Sequence, residues 1–402
     1  MLIQGNTPFQ HNTPLRPNFK PPVAPTNNNL PKKPPETALP RFLNYYADYS
    51  GCGHWRMIWP EQIMNAHGKA IVHGTTVMNL DPKYYTQAKA VRIQRQATPQ
   101  QLEFMKWLRK MADTNNFRLI YEIDDICFHE DIPDYNKYKT AFTDPKIRQS
   151  AQEMMEICDE ITVTCPFMRD YYLSKTNNKN VTVIPNFMPK FWLGGRSDIS
   201  RTMESYEKNK RKPRILYAGS GAHFDVENRT KFKDDFEHVN DVIRNTVDKY
   251  QWVFLGAHPL PIRDLIQSGK VEFYPWKRLY EYGQGLYDLN VNMIVAPLQN
   301  STFNKAKSDL KYIEACALGL PIACQDLCTY ENAPIKFTTG DEMIDQINNT
   351  LKDRKRYKSI CKKASQYAET RWLEDDKNID CYLELYQYAV NDPKRINIGR
   401  YN

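Results

Sequence analysis

A chain of 402 residues exceeds what one ordinary core organises and suits two α/β domains of roughly 150 to 200 residues each. With 41% hydrophobic and 25% charged residues it has the balance of a folded globular chain, and no apolar run approaches the roughly 18 residues of a membrane span. A formal charge of +8 favours acidic partners such as nucleotide diphosphates, nucleic acid or anionic glycans, while nine scattered cysteines without a CxxC pair argue against a zinc clamp or redox couple.

Residues 1–40 are dominated by Pro and Asn and lack a periodic apolar pattern. They cannot bury enough surface to offset the entropy of ordering, so a flexible arm is expected, with Arg16, Lys20, Lys32 and Lys33 available to a polyanion. The first thirty residues also lack the apolar stretch of a secretory signal, which predicts a cytoplasmic protein. A strand over 42–47 then runs into Gly51-Cys52-Gly53-His54-Trp55-Arg56, a glycine-containing turn that opens a helical pattern ending near Gly68. Strands follow at 70–73 and 90–94, a helix at 99–114, and a strand at 117–123 that ends in Asp124 and Asp125. The pattern continues with a helix at 146–157, a strand at 160–164, a helix at 166–175 and a strand at 181–184 stopped by Pro185-Asn186. Strands alternating with helices predict a mostly parallel sheet.

Residues 195–213 are polar and strongly charged, and are taken as the domain boundary. Beyond them strands are expected at 214–218, 252–255, 271–274, 291–296 and 321–324, and helices at 235–250, 261–268, 279–289, 308–318, 339–351, 357–370 and 375–390. The expected organisation is therefore an arm (1–40), a first doubly wound domain (41–195), a second (213–370) and a terminal helical segment (371–402). Ligands of such sheets sit at the carboxyl ends of the strands, in the cleft between the domains.

The most informative stretch runs from Ala296 to Pro321. A strand exits into a polar loop that enters a helix at about Lys307, with Ser308 or Asp309 available as cap. Orphan amides and the positive helix end favour a phosphate there, and Lys307 and Lys311 add charge on one face. Glu314 lies one turn beyond Lys311, placed to accept hydrogen bonds from the two hydroxyls of a ribose. Gly219, Ser220, Gly221 and His223 form a small-residue loop after a strand, which lets backbone approach a phosphate closely. Glu122, Asp124 and Asp125 end a strand near the presumed cleft, where a carboxylate can orient or deprotonate a hydroxyl; read as a DxD-like run they also resemble a metal motif. His129 and Glu130 suit a solvated loop.

The stretch fits the pattern PLxxxxFNxxKSxxKYxExxAxGxP and resembles the second half of GT-B glycosyltransferases, in particular the retaining group related to glycogen and sucrose synthases, in a variant found in bacteria and phages. The resemblance implies two Rossmann-like domains facing a cleft, with the C-terminal helix crossing back to the first domain. It implies that Glu314 binds the donor ribose, that the helix start with Lys307 or Lys311 holds the diphosphate, and that Phe303, Asn304 and Ser308 belong to the donor-binding segment. Gly219 to His223 resembles the GSxxH loop of the same relatives. Trp276 falls on the loop that contacts the base, either stacking on it or filling the core. Gly51 and Gly53 occupy the glycine loop that faces donor phosphates or acceptor, and His54, Asp124 and Asp125 are the first-domain candidates for acceptor chemistry. Relatives often carry a second glutamate eight positions before Glu314, where this chain has Ala306. GT-B enzymes usually work without a catalytic metal, so no cofactor is expected beyond the nucleotide-sugar co-substrate. The implied activity is sugar transfer from a nucleoside-diphosphate sugar, UDP favoured, with retention. The basic, tyrosine-rich composition (25 Tyr) and the phage-like motif favour a 5-hydroxymethylcytosine-type DNA base as acceptor. A cell-surface polysaccharide or protein acceptor, and a catalytically silent glycan- or nucleic-acid-binding protein, are the alternatives.

Overall fold

The computed structural model describes residues 39–402, so the arm expected at 1–40 falls, but for its last two residues, outside the described residues. Six parallel strands, β1 (Arg41–Tyr45), β2 (Ile71–Thr75), β3 (Ala88–Gln94), β4 (Arg118–Glu122), β5 (Glu160–Val163) and β6 (Val181–Val183), form the first sheet in the order β2-β1-β3-β4-β5-β6. A second parallel sheet has the order β12-β11-β10-β7-β8-β9, from β7 (Arg214–Gly219), β8 (Gln251–Gly256), β9 (Glu272–Pro275), β10 (Met293–Ala296), β11 (Ile322–Gln325) and β12 (Lys336–Phe337). The strand order reverses beside β1 in the first sheet and beside β7 in the second. In the second sheet the loops leaving β7 and β10 therefore flank the switch-point crevice in which doubly wound sheets bind ligands.

Local sequence explains why the helices begin and end where they do. Helix Pro99–Asn115 starts with a reciprocal capping box between Thr98 and Gln101 and with Pro at its first position, and it stops at Asn116 in the left-handed region (φ 56°). It buries Leu102, Met105, Leu108 and Met111 against the first sheet, each burial contributing about 1.5–3 kcal/mol. The polar stretch at 195–213 differs from expectation, because Ile199–Lys208 is a helix capped by Asp198. Only Met203 and Tyr206 of it are large buried apolar groups, packed on Tyr357 and Cys361, a stripe too thin to stand out among its charges. The helix expected at 235–250 shrinks to Asn240–Thr246, since the preceding residues are held by aspartate side chains on backbone amides: Asp225 accepts from the amides of Arg229 and Thr230, and Asp234 from those of Asp225 and Phe236.

The chain crosses between the domains twice, side by side. Met188 and Trp372 form a parallel bridge, with Met188 N donating to Arg371 O and Leu373 N to Met188 O, each at 2.8 Å. Beyond this crossing, helix Asp376–Gln387 lies on the first domain. The Tyr386 ring stacks on Phe42 at 4.6 Å, its hydroxyl donates to Asn44 Oδ1 at 2.6 Å, and Arg118 of β4 donates to the carbonyls of Leu385 and Tyr388. No described helix is long and apolar enough to cross a membrane.

Candidate donor site between the two domains

The loop after β10 holds two helical pieces rather than one helix from Lys307. Thr302–Lys305 is capped by Ser301, which accepts from Asn304 N at 3.2 Å, and Leu310–Ala317 begins after Asp309. Asp309 does not cap its own helix; its carboxylate takes an ion pair from Arg371. Lys311, in the first turn of Leu310–Ala317, reaches back across the sheet edge so that Nζ donates to Ala218 O at 2.5 Å and lies 4.8 Å from the centre of the Tyr217 ring. Glu314 sits one turn further on, its carboxylate 3.5 Å from the Tyr282 hydroxyl. Burial pushes the Lys311 ammonium down and the Glu314 carboxyl up, and each partly offsets the shift in the other.

Two glycines flank this pair. A Cβ on Gly219 would fall 2.5 Å from the Tyr217 hydroxyl and 2.8 Å from Lys311 Nζ. Gly256, with φ +99°, has its α-carbon covered by the Trp276 ring, and a Cβ there would lie 2.5 Å from that ring. The Tyr217 hydroxyl is fully buried and has no hydrogen-bond partner among the described residues. Trp276 leans on Tyr282 (5.7 Å between ring centres) yet is 58% exposed, so it is a surface ring offering a face and not a core aromatic. The cradle thus combines a cation, a carboxylate, two glycines at the strand ends, a buried tyrosine hydroxyl and an exposed aromatic ring.

Ser220 caps the short turn Gly221–His223 by accepting from Ala222 N at 3.3 Å. His223 is buried, with Nδ1 2.7 Å from Asp235 Oδ2. Burial brings its pKa down to about 4, Lys311 and Lys307 add to the fall, and Asp235 opposes it. The ring is therefore neutral near pH 7, with its proton on Nδ1 facing the carboxylate and a lone pair on Nε2. Asp235 was not legible as a site residue in the sequence. Its other oxygen accepts from Tyr135 Oη (2.7 Å), Gln299 N (2.8 Å) and Asn304 Nδ2 (2.7 Å). A pair of adjacent aspartates twelve residues after a loop histidine was its only signal, and Tyr135 of the first domain had none.

Several expected donor contacts have other neighbours. Phe303 and Ala306 are buried in the core of the first domain, so the Phe303 ring anchors the segment there, with Lys307 Nζ 4.4 Å from its centre. Asn304 is wholly buried, and its amide nitrogen donates to Tyr135, Asp235 and Gln299, which shapes the loop. Ser308 Oγ accepts from Asn186 Nδ2 at 3.0 Å, an inter-domain contact. Lys307 stands between the domains, its charge acting on His223 and Lys311 on one side and on Asp125 on the other.

On the first-domain side, Asp48 fastens the Gly51 to Gly53 turn by accepting from Ser50 N (2.7 Å) and Gly53 N (3.3 Å) and by pairing with Arg95 (2.7 Å). Gly53 is required because a Cβ would run into the Asp48 carbonyl, whereas Gly51 faces open space. His54 begins a π-helical turn (His54–Ile58) and is held by Nδ1 on Ser50 O at 2.9 Å, with its ring 5.5 Å from Tyr280 of the second domain; such turns recur at functional sites. Glu122 must be corrected: it is fully buried and locked by Arg56 (2.6 Å), Arg92 and Thr162, a core ion pair outside any site. Asp124 is held by Arg95 at 3.2 Å. Asp125 is raised by burial and partly restored by Lys307, and it is the carboxylate of the three that faces the donor segment. The three therefore diverge, and among the described residues no group of three His, Cys, Asp or Glu is arranged to hold a metal. His129 lies in a short 3-10 turn, and Glu130 pairs with Arg148 and Lys175.

No protein-family model matches the chain, and no curated protein matches its sequence. Solved structures do resemble it in three dimensions. HepE from Anabaena, solved in complex with UDP, superposes with a TM-score of 0.57 at 9% identity, covering 87% of this chain and 100% of that one. A point mutant of TarM from S. aureus, in complex with fondaparinux, α-GlcNAc-glycerol and UDP, gives 0.48 at 13% identity over 77% of this chain and 59% of that one. A UDP-glucosyltransferase from Polygonum tinctorium gives 0.44 at 8% identity over 89% and 100%. The two six-stranded parallel sheets, the cleft between them and the returning C-terminal helix give this chain the GT-B architecture.

Proposed function

We propose that this protein is a glycosyltransferase that moves a sugar from a UDP-sugar to a hydroxyl acceptor. The observation that carries the reading is the convergence of Lys311, Glu314, Gly219, Gly256 and the exposed ring of Trp276 at the carboxyl ends of β7 to β10. UDP bound to HepE, which shares the fold, supports it. In this reading Trp276 stacks on the base and Glu314 accepts from the ribose hydroxyls. As the bond from the anomeric carbon to the diphosphate breaks, charge grows on the leaving oxygen, and the ammonium groups of Lys307 and Lys311 beside the turn after β7 stabilise it. Asp125 and His54 are the groups that orient the acceptor hydroxyl from the first domain, and the acceptor's proton leaves with the diphosphate. Transfer proceeds with retention and without an obligatory metal. Ala306, buried in the first domain, leaves sugar recognition to other groups.

For the acceptor we favour a 5-hydroxymethylcytosine-type base in DNA. The net positive charge and the cleft-side series Lys277, Arg278 and Tyr280, with Tyr280 well exposed, suit a polyanion whose base is drawn out of the stack. Titration with UDP by calorimetry, comparing wild type with E314A and K311A, tests the donor site; equal affinity in all three removes it. A mass-spectrometric donor screen with hydroxymethylated DNA and a glycan mixture tests the acceptor. Labelling of glycan alone ends the DNA reading, and labelling of nothing despite UDP binding favours a silent binding protein.

A further inference from the structure

We infer that Asp235 and Tyr135 are positioning residues for His223, and that Tyr135 makes the setting of the donor site conditional on contact with the first domain. The inference rests on the donor-site reading above. Asp235 is buried, and its carboxylate accepts on both oxygens: His223 Nδ1 on one, and Tyr135 Oη, Gln299 N and Asn304 Nδ2 on the other. A carboxylate offers acceptors alone, so the His223 proton must reside on Nδ1 and the ring presents its Nε2 lone pair. The first domain supplies Tyr135, whose hydroxyl also accepts from Asn304 Nδ2 at 3.1 Å. The clasp thus joins three segments: the loop after β4, the turn after β7 and the segment after β10. Withdrawal of the first domain removes a donor from Asp235 and a partner from Asn304, loosening the carboxylate that fixes His223.

An asparagine at 235 retains one acceptor and gains two donors. It cannot serve His223 Nδ1–H and the Tyr135, Gln299 and Asn304 donors together, so its amide turns towards the ring and drives the imidazole proton to Nε2. The experiment compares wild type, D235N and Y135F by two readouts. Long-range ¹⁵N–¹H correlation of histidine-labelled protein reports the His223 tautomer without any turnover, and steady-state transfer or donor hydrolysis reports kcat and KM. The expected result is Nδ1–H in wild type and Nε2–H in D235N, with kcat down at least tenfold, KM within threefold, and Y135F losing threefold to tenfold in kcat with the tautomer less fully defined. In an H223Q background, D235N should cost no further activity. An unchanged tautomer in D235N, or additive losses in the double variant, would overturn the inference. If wild type shows the expected tautomers but binds no UDP, the proposed function fails while the positioning relationship stands.

Discussion

Asn186 Nδ2 donates to Ser308 Oγ across 3.0 Å, fastening the exit of the first sheet to the turn before helix Leu310–Ala317. The same side chain accepts from Arg56 Nη1 at 2.9 Å, and its backbone carbonyl accepts from Arg371 at 3.3 Å. Ser308→Ala removes one acceptor at a half-buried position and should leave thermal stability almost unchanged. Asn186→Ala strips a buried guanidinium of a partner and should cost about 1–3 kcal/mol and weaken UDP binding through the displaced turn. Denaturation midpoints and UDP titrations of the two variants check this; equal behaviour would show that the contact is idle.

Glu122 is the shared ion-pair partner of two buried arginines, Arg56 and Arg92. Glu122→Ala leaves both unpaired and should destabilise the protein by about 3–5 kcal/mol, read as a fall in melting temperature or in soluble yield. Activity, in contrast, should survive a chelator. Full stability in the variant together with rescue of activity by a divalent cation would restore Glu122 and its neighbours as a metal site.

Trp276→Ala should weaken UDP binding by about 1–3 kcal/mol, the usual scale of base–aromatic stacking, with little loss of stability because the ring is largely exposed. Gly256→Ala should reduce both. Its φ of +99° is costly for any residue with a Cβ, by at least about 1 kcal/mol, and the added methyl displaces Trp276. UDP affinity in the tryptophan variant equal to wild type would mean that the base binds elsewhere.

His223 gives the protein a specific acid sensitivity. Its folded pKa of about 4 lies below the ordinary 6.5, so the unfolded chain takes up the proton first. The contribution is whole above about pH 6.5, declines as pH falls towards 4 and is gone below it, a loss of about 3 kcal/mol at most. His223→Gln removes this titration, and its melting temperature should fall less than that of wild type between pH 6.5 and 4. Parallel curves would refute the buried neutral imidazole.

The alternation of strands and helices was legible because periodicity and punctuation agreed. Helix Pro166–Lys175 was placed to the residue, with Pro166 at its start. Glu122 illustrates a signal that was present and underused: it stands on β4 of a sheet covered on both faces, two residues from buried Ile120, whereas Asp124 and Asp125 lie beyond the strand. Within the site, Lys311 and Glu314 were legible because their spacing on one helix fixes their relation. The partners that reach them were not. Asp235 acts by accepting several hydrogen bonds that only the folded loops bring within range, and Tyr135 arrives from another domain. Phe303 could not be assigned from its motif either, since a pattern within one domain does not say which core its apolar residues enter.

Phe303 and Ala306 belong by sequence to the second domain and by burial to the first. The two halves of this protein are consequently not interchangeable parts. A second half grafted onto a different first half brings an aromatic plug without its socket, and the segment carrying Lys307 loses its anchorage even if every nucleotide-facing residue is kept.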